Sequence, residues 1–155
     1  MSIRFQVQRT IHAPKERVYE SLIDLDAARE WMQGFEGLER QDDGPVKEGS
    51  QWLETRKMFG QKATEHFEVV SLSHPERIVL RCDGTKGTTG KGEFIFTYIL
   101  SSKNDQLTAV TLDGEINKLT GMAKFFGKIM AGTFKKACAK DLDALKQHIE
   151  NKADA

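Results

Sequence analysis

Apolar and polar positions alternate from the start of the chain. Ile3, Phe5, Val7 and Ile11 are separated by polar Arg4, Gln6, Gln8 and Thr10. A period of two predicts a strand with one covered face. Ala13-Pro14-Lys15-Glu16 comes next. Proline suits a first helical position, because its missing N–H would be unpaired there in any case. Val18, Tyr19, Leu22 and Ile23 then recur at helical spacing and predict a short helix ending near Asp24. Asp26 is placed to cap a second one, through Ala27, Ala28 and Arg29 to Trp31 and Met32.

From Gly37 to Asn117 the texture changes. Turn signals recur at Asp42-Asp43-Gly44-Pro45, Phe59-Gly60, Ser73-His74-Pro75-Glu76, Gly84 to Gly92 and Lys103-Asn104-Asp105. Between them lie runs rich in β-branched and aromatic residues. These predict strands over Leu38–Arg40, Gln51–Met58, Thr64–Leu72, Ile78–Asp83, Glu93–Leu100 and Leu107–Ile116. Connections this short require an antiparallel meander, and the N-terminal strand brings the expected number to seven.

The last segment repeats at three- and four-residue steps: Leu119, Met122, Phe126, Ile129, Met130, Phe134, Ala137, Leu142, Leu145 and Ile149. This predicts one helix over Leu119–Lys152, roughly 45 Å long at 1.5 Å per residue. It is long enough to cross a whole small domain. With no repeat, linker or low-complexity stretch, residues 1–155 are expected to form one domain.

Composition narrows the function classes. The 23 basic and 23 acidic residues cancel. That argues against general attraction to nucleic acid or anionic membranes, while leaving room for a local patch. The N-terminus lacks the apolar core of a signal peptide, and no run approaches the roughly 20 apolar residues of a membrane span. The expected location is cytoplasmic. Cys82 and Cys138 are far apart in apolar-patterned segments, as buried free thiols would be, although the spacing also permits a disulfide.

Local motifs carry a family resemblance across nearly the whole chain. Ile11-His12-Ala13-Pro14 followed by Val18-Tyr19 is similar to an I-x-A-P-x-x-x-V-[WY] entry to a first helix. Asp24 to Trp31, the turn around His74-Pro75-Glu76-Arg77, and Thr108-Ala109-Val110-Thr111 support it. In these features and in element order the chain resembles the START-related superfamily, which includes the birch-pollen allergens and bacterial polyketide cyclase/dehydrase-like proteins. The resemblance implies an α+β helix-grip fold: a curved seven-stranded antiparallel sheet, two short helices, and a long C-terminal helix over a cavity. It also implies a small hydrophobic ligand, a lipid or a polycyclic compound. These are scaffold motifs and leave the chemistry open.

Such a cavity has candidate lining residues. Phe94, Phe96 and Tyr98 share one strand face, as do Trp52, Glu54, Arg56 and Met58, and Phe67 with Val69 forms a third row. If these faces point at the helix, Trp31, Trp52, Phe67, Phe94, Phe96 and Tyr98 line an aromatic pocket in which Glu54 and Arg56 orient a polar group. The same charged pair could instead be solvated or bonded to one another. From the helix, Met122, Phe126 and Met130 are expected to complete the lining, since methionine adapts to irregular shapes. The segment from Ala137 to Ile149 is expected to anchor the helix. An ordinary helix-on-sheet core would use the same residues.

Other chemistry finds little support. No H-x-x-x-H, C-x-x-C or H-E-x-x-H spacing occurs, so neither a metal nor a cofactor is expected. Gly84 to Gly92 lacks the first glycine and the Ser/Thr of a phosphate loop and precedes a strand; it reads as a mobile hairpin tip. The resemblance implies binding or carriage of a hydrophobic ligand, with which the aromatic and methionine-rich faces are compatible, by a monomer or homodimer. The alternatives are a cyclase/dehydratase-type enzyme and a protein-interaction module related to activators of heat-shock ATPases.

Overall fold

The computed structural model describes residues 2–153. Its elements run β1 (Ile3–Ile11), α1 (Lys15–Ile23), a 3-10 turn (Leu25–Glu30), β2 (Phe35–Arg40), β3 (Gln51–Met58), β4 (Gln61–Ser73), β5 (Arg77–Asp83), β6 (Glu93–Asn104), β7 (Leu107–Asn117) and α2 (Gly121–Ala153). The strands form one antiparallel sheet in the order β1-β7-β6-β5-β4-β3-β2. This is the helix-grip architecture that the family resemblance implied, built on the antiparallel meander that the alternation and short turns predicted.

The differences from expectation are local. Pro14 precedes α1 as its cap, with ψ at 150°, because its ring fixes φ while its backbone is still extended. Asp24, not Asp26, caps the second helical segment by accepting from Ala27 N. That segment is a tight 3-10 turn, and Trp31 lies just beyond it. The hairpin tip at Gly84 is tied down: Thr88 N donates to Thr64 O at 2.9 Å and Thr89 N to Glu65 Oε1 at 2.9 Å.

Strand register sets the concave face. Directly opposed residues share a face, which places Trp52, Phe67, Cys82, Phe94, Ile116 and Ile3 in one row across six strands. The next row holds Val69, Leu80, Phe96, Gly114 and Phe5, and the third Ile78, Tyr98, Leu112 and Val7. Gly114 is required in the second row. A Cβ there would lie 2.2 Å from Phe5 Cζ, so the Phe5 ring occupies the side chain's place.

The two halves of α2 behave differently. Leu142, Leu145 and Ile149 are buried with Val7, Ile11, Val18, Tyr19 and Trp31 in the main core. Full burial of such side chains contributes about 1.5–3 kcal/mol each. The first half approaches the sheet through Phe134 and, nearer its start, through small residues. Gly127 meets Ile3 Cδ1, and Leu119 is wedged between Gly92 and Gly127.

Candidate ligand site

The concave face carries a continuous aromatic wall. Trp52 stacks on Phe67 with centroids 5.7 Å apart and planes 9° from parallel. Phe67 stacks on Phe96 at 6.3 Å, and Phe94 meets Phe134 of α2 edge-on at 5.9 Å. Trp52 and Trp31 are buried, but Phe67, Phe94, Phe96 and Tyr98 all keep accessible surface.

A charged cluster joins this wall to the helix. Arg56 Nε donates to Glu54 Oε2 at 2.8 Å, and Arg56 Nη1 donates to Asp141 Oδ2 at 2.6 Å. Trp52 Nε1 donates to the other Glu54 oxygen at 3.4 Å, and Gln33 N donates to Asp141 Oδ1 at 3.1 Å. Alternation along β3 explains why Trp52, Glu54 and Arg56 all point inward. Burial works against the Arg56 charge, but Glu54 and Asp141 outweigh it and hold the guanidinium firmly protonated.

The neighbouring groups stay neutral. Burial raises the Tyr98 hydroxyl above its ordinary range, with Cys138 and Asp141 adding to the effect. Burial likewise pushes the Cys138 thiol up to about 12, and Asp141 adds to it. Cys82 is raised by burial and then by Glu65 and Glu54. Both cysteines are free thiols. Neither has the depressed pKa of a nucleophile. Among the described residues, no group of three or more His, Cys, Asp or Glu is placed to hold a metal ion.

The predicted lining residues divide into two sets. Trp52, Glu54, Arg56, Phe67, Phe94, Phe96 and Tyr98 come together on the concave side. Trp31 packs in the core against the second half of α2, its indole N–H buried without a partner. Met122, Phe126 and Met130 face away from the sheet and are exposed. Two surface clefts, of about 430 and 660 Å³, lie elsewhere and are lined mainly by charged and polar residues; none of the predicted residues lines either.

Residues 2–150 match the family described as polyketide cyclase / dehydrase and lipid transport. The chain belongs to that family. No curated protein matches it. Among solved structures it is similar to the Zhui aromatase/cyclase from a Streptomyces species: TM-score 0.81 and 15% identity, over 99% of this chain and 96% of that one. It is also similar to ginseng major latex-like protein 151 from Panax ginseng, with TM-score 0.76 and 13% identity, over 95% and 97% of the two chains. A START superfamily protein from Mycobacterium smegmatis gives TM-score 0.73 and 16% identity, over 94% and 98%. At these identities the likeness is one of fold. The chemistry of this polyketide cyclase/dehydrase family member has to be argued from its own residues.

Phe134, one of the apolar residues of the predicted helix, does face the sheet, and two site residues lie outside the sequence expectation: Asp141 and Cys138. All three sit on the inward stripe of α2. Asp141 carried a usable signal, being a carboxylate one turn before Leu145 on the stripe that also holds Phe134 and Cys138. Glu65 also belongs to the inner face, opposite Glu54 across the β3–β4 pair, with one carboxylate oxygen buried and unpartnered.

Proposed function

We propose that this protein binds a small, mainly apolar molecule between the aromatic wall and α2, as a binding or carrier domain without covalent chemistry. The observation that carries this reading is the aromatic wall of the concave face, in which Phe67, Phe94, Phe96 and Tyr98 keep accessible surface beside the buried Trp52. Aromatic side chains that keep accessible surface on an inner face favour apolar ligands. Membership of a family described by both cyclase chemistry and lipid transport supports an apolar ligand.

The charged cluster restricts the ligand's polar group. Arg56 is already bonded to two carboxylates, so as ionised groups the three sum to a formal charge of −1. Nε and Nη1 are spent on those partners and the cluster is net negative, which disfavours a ligand carboxylate. A hydroxyl or another donor fits better, with Glu54, Glu65 and the Tyr98 hydroxyl as its partners.

Native mass spectrometry of protein purified from its own host tests this reading. A co-purifying neutral, apolar molecule of fixed mass is expected, and Phe67→Ala with Phe96→Ala should lose it while remaining folded. A wild-type protein that purifies empty, and takes up no apolar probe in solution, would overturn the reading.

A second reading is a cyclase/dehydratase-type enzyme. It is favoured by one juxtaposition: Arg56, held charged by Glu54 and Asp141, and Tyr98, whose hydroxyl burial keeps neutral, both lie on the concave side. Together they could polarise the carbonyl of a folded polyketone. Turnover of an identified substrate that is lost in Arg56→Met and Tyr98→Phe would establish it.

A further inference from the structure

The first half of α2 has an inverted polarity. Met122, Phe125, Phe126, Ile129 and Met130 are between 38% and 67% exposed. At about 100° per residue they span an arc of roughly 140° on one side of the helix. The opposite side, turned to the sheet, carries Gly127, Ala131, Phe134 and Cys138. Large apolar side chains are therefore outside and mainly small ones inside. Farther along, Leu142, Leu145 and Ile149 point inward, as in an ordinary amphipathic helix. An exposed apolar surface of this kind requires an occupant.

Charge indicates which one. Residues 117–140 contain Lys118, Lys124, Lys128, Lys135, Lys136 and Lys140 and no acidic residue. With 23 residues of each sign in the chain, the remainder carries a formal excess of six acids. The neutral total hides a polarised molecule whose basic segment is also its exposed apolar segment.

We propose that this outer face of α2, centred on Phe125, Phe126 and Ile129, docks onto the surface of an anionic lipid bilayer. The apolar side chains insert at the boundary between headgroups and acyl chains, while the lysines remain among the headgroups. Two charges of one sign are disfavoured at close range, so a second copy of the same face would set the exposed Lys128, Lys135, Lys136 and Lys140 against their own copies. Lys118 is already paired with Glu93 and Lys124 lies on the sheet-facing side, so the cations an anionic surface would meet are the exposed Lys128, Lys135, Lys136 and Lys140. The helix lies in the interface and does not cross it, since no helix of the described residues is long and apolar enough to span a membrane. The proposal goes beyond ligand binding and does not depend on it. If the cavity does hold an apolar molecule, docking would bring the first half of the covering helix to the bilayer.

Vesicle co-sedimentation with the full chain tests the proposal. Partitioning should be about tenfold or more stronger on vesicles with roughly 30 mol% phosphatidylglycerol than on pure phosphatidylcholine, and should weaken in roughly 0.5 M NaCl. Phe125→Ser with Ile129→Ser should reduce it about tenfold or more, with an unchanged melting temperature because both side chains are exposed. Equal binding by this variant would overturn the proposal, since adsorption would then be purely electrostatic. So would absence of binding to either vesicle. A dimer in solution that the same variant converts to monomer would overturn it in favour of a second copy, and saturable capture of an acidic protein in favour of a protein partner. No ligand enters these readouts, so their outcome is separate from that of the mass-spectrometric test.

Discussion

Arg56 Nη1 lies 2.6 Å from Asp141 Oδ2 and ties the third strand to the long helix. The two residues are 85 positions apart, and both side chains are less than one-fifth exposed. Arg56 also holds Glu54 at 2.8 Å, so one guanidinium organises two carboxylates and fixes the height of α2 over the inner face.

That arrangement predicts an asymmetric response to mutation. Asp141→Ala removes one of two counter-charges and leaves Gln33 N without its acceptor. A loss of about 2–4 kcal/mol is expected from urea unfolding. Arg56→Met alone should cost as much or more, because it leaves two carboxylates near one another. Arg56→Met combined with Glu54→Leu and Asp141→Leu should recover most of the loss, since no charge is then stranded. Additive losses across the series would show that the residues do not act as a unit.

Gly114 and Phe5 form a second pair with a clear consequence. A methyl group at 114 would stand 2.2 Å from Phe5 Cζ, and 2.4 and 2.6 Å from two further ring carbons. Gly114→Ala should therefore destabilise by about 1–3 kcal/mol through overpacking. Adding Phe5→Leu should return part of that loss in thermal unfolding. A neutral single mutant would mean that Phe5 is free to leave the inner row.

Most of the frame was legible because it depends on period and punctuation. Alternation at Ile3 to Ile11, turn residues at Asp42 to Pro45 and Lys103 to Asp105, and the recurrence from Leu142 to Ile149 are local signals, and each produced its element. The inner position of Trp52, Glu54 and Arg56 follows from the same alternation. What was illegible depends on azimuth and on distance. Met122, Phe126 and Met130 share helical spacing with Leu142 and Leu145, yet they lie on the other side of the helix. Periodicity reports that a stripe exists and cannot say which stripe faces the sheet, least of all where Gly127 and Ala131 form a competing small one. Asp141 reads locally as one of a run of surface acids, and only the tertiary approach of Arg56 gives it a role.

Glu93 predicts a term in acid stability. Its carboxyl accepts from Lys118 Nζ at 2.9 Å and Arg81 Nε at 3.0 Å, and Lys118 first, then Arg81, holds it below its ordinary 4.5 against the effect of burial. A carboxyl depressed in the folded state releases its proton more readily there than in the unfolded chain. Its contribution is thus fully present above pH 4.5 and is lost as the pH falls through the depressed folded value. Glu93→Gln should lower stability near neutral pH and flatten its decline in acid. Parallel pH profiles for wild type and variant would show that Glu93 contributes nothing to the decline.

Cys138 makes the last prediction, through its position on the inward side of α2 beside Asp141. Burial first, and Asp141 second, push its thiol up to about 12. At pH 8 the thiolate fraction is then on the order of 10⁻⁴, against roughly a quarter for a free cysteine. Cys82 is buried and raised by the same cause. Ellman's reagent should therefore find almost no reactive thiol in the native protein at pH 8 and two after denaturation in guanidinium. Because α2 covers Cys138, the native rate should follow opening of the helix, and Asp141→Ala should accelerate it. A thiol that reacts at once in the wild type would place Cys138 on the outside of the helix and remove it from the site.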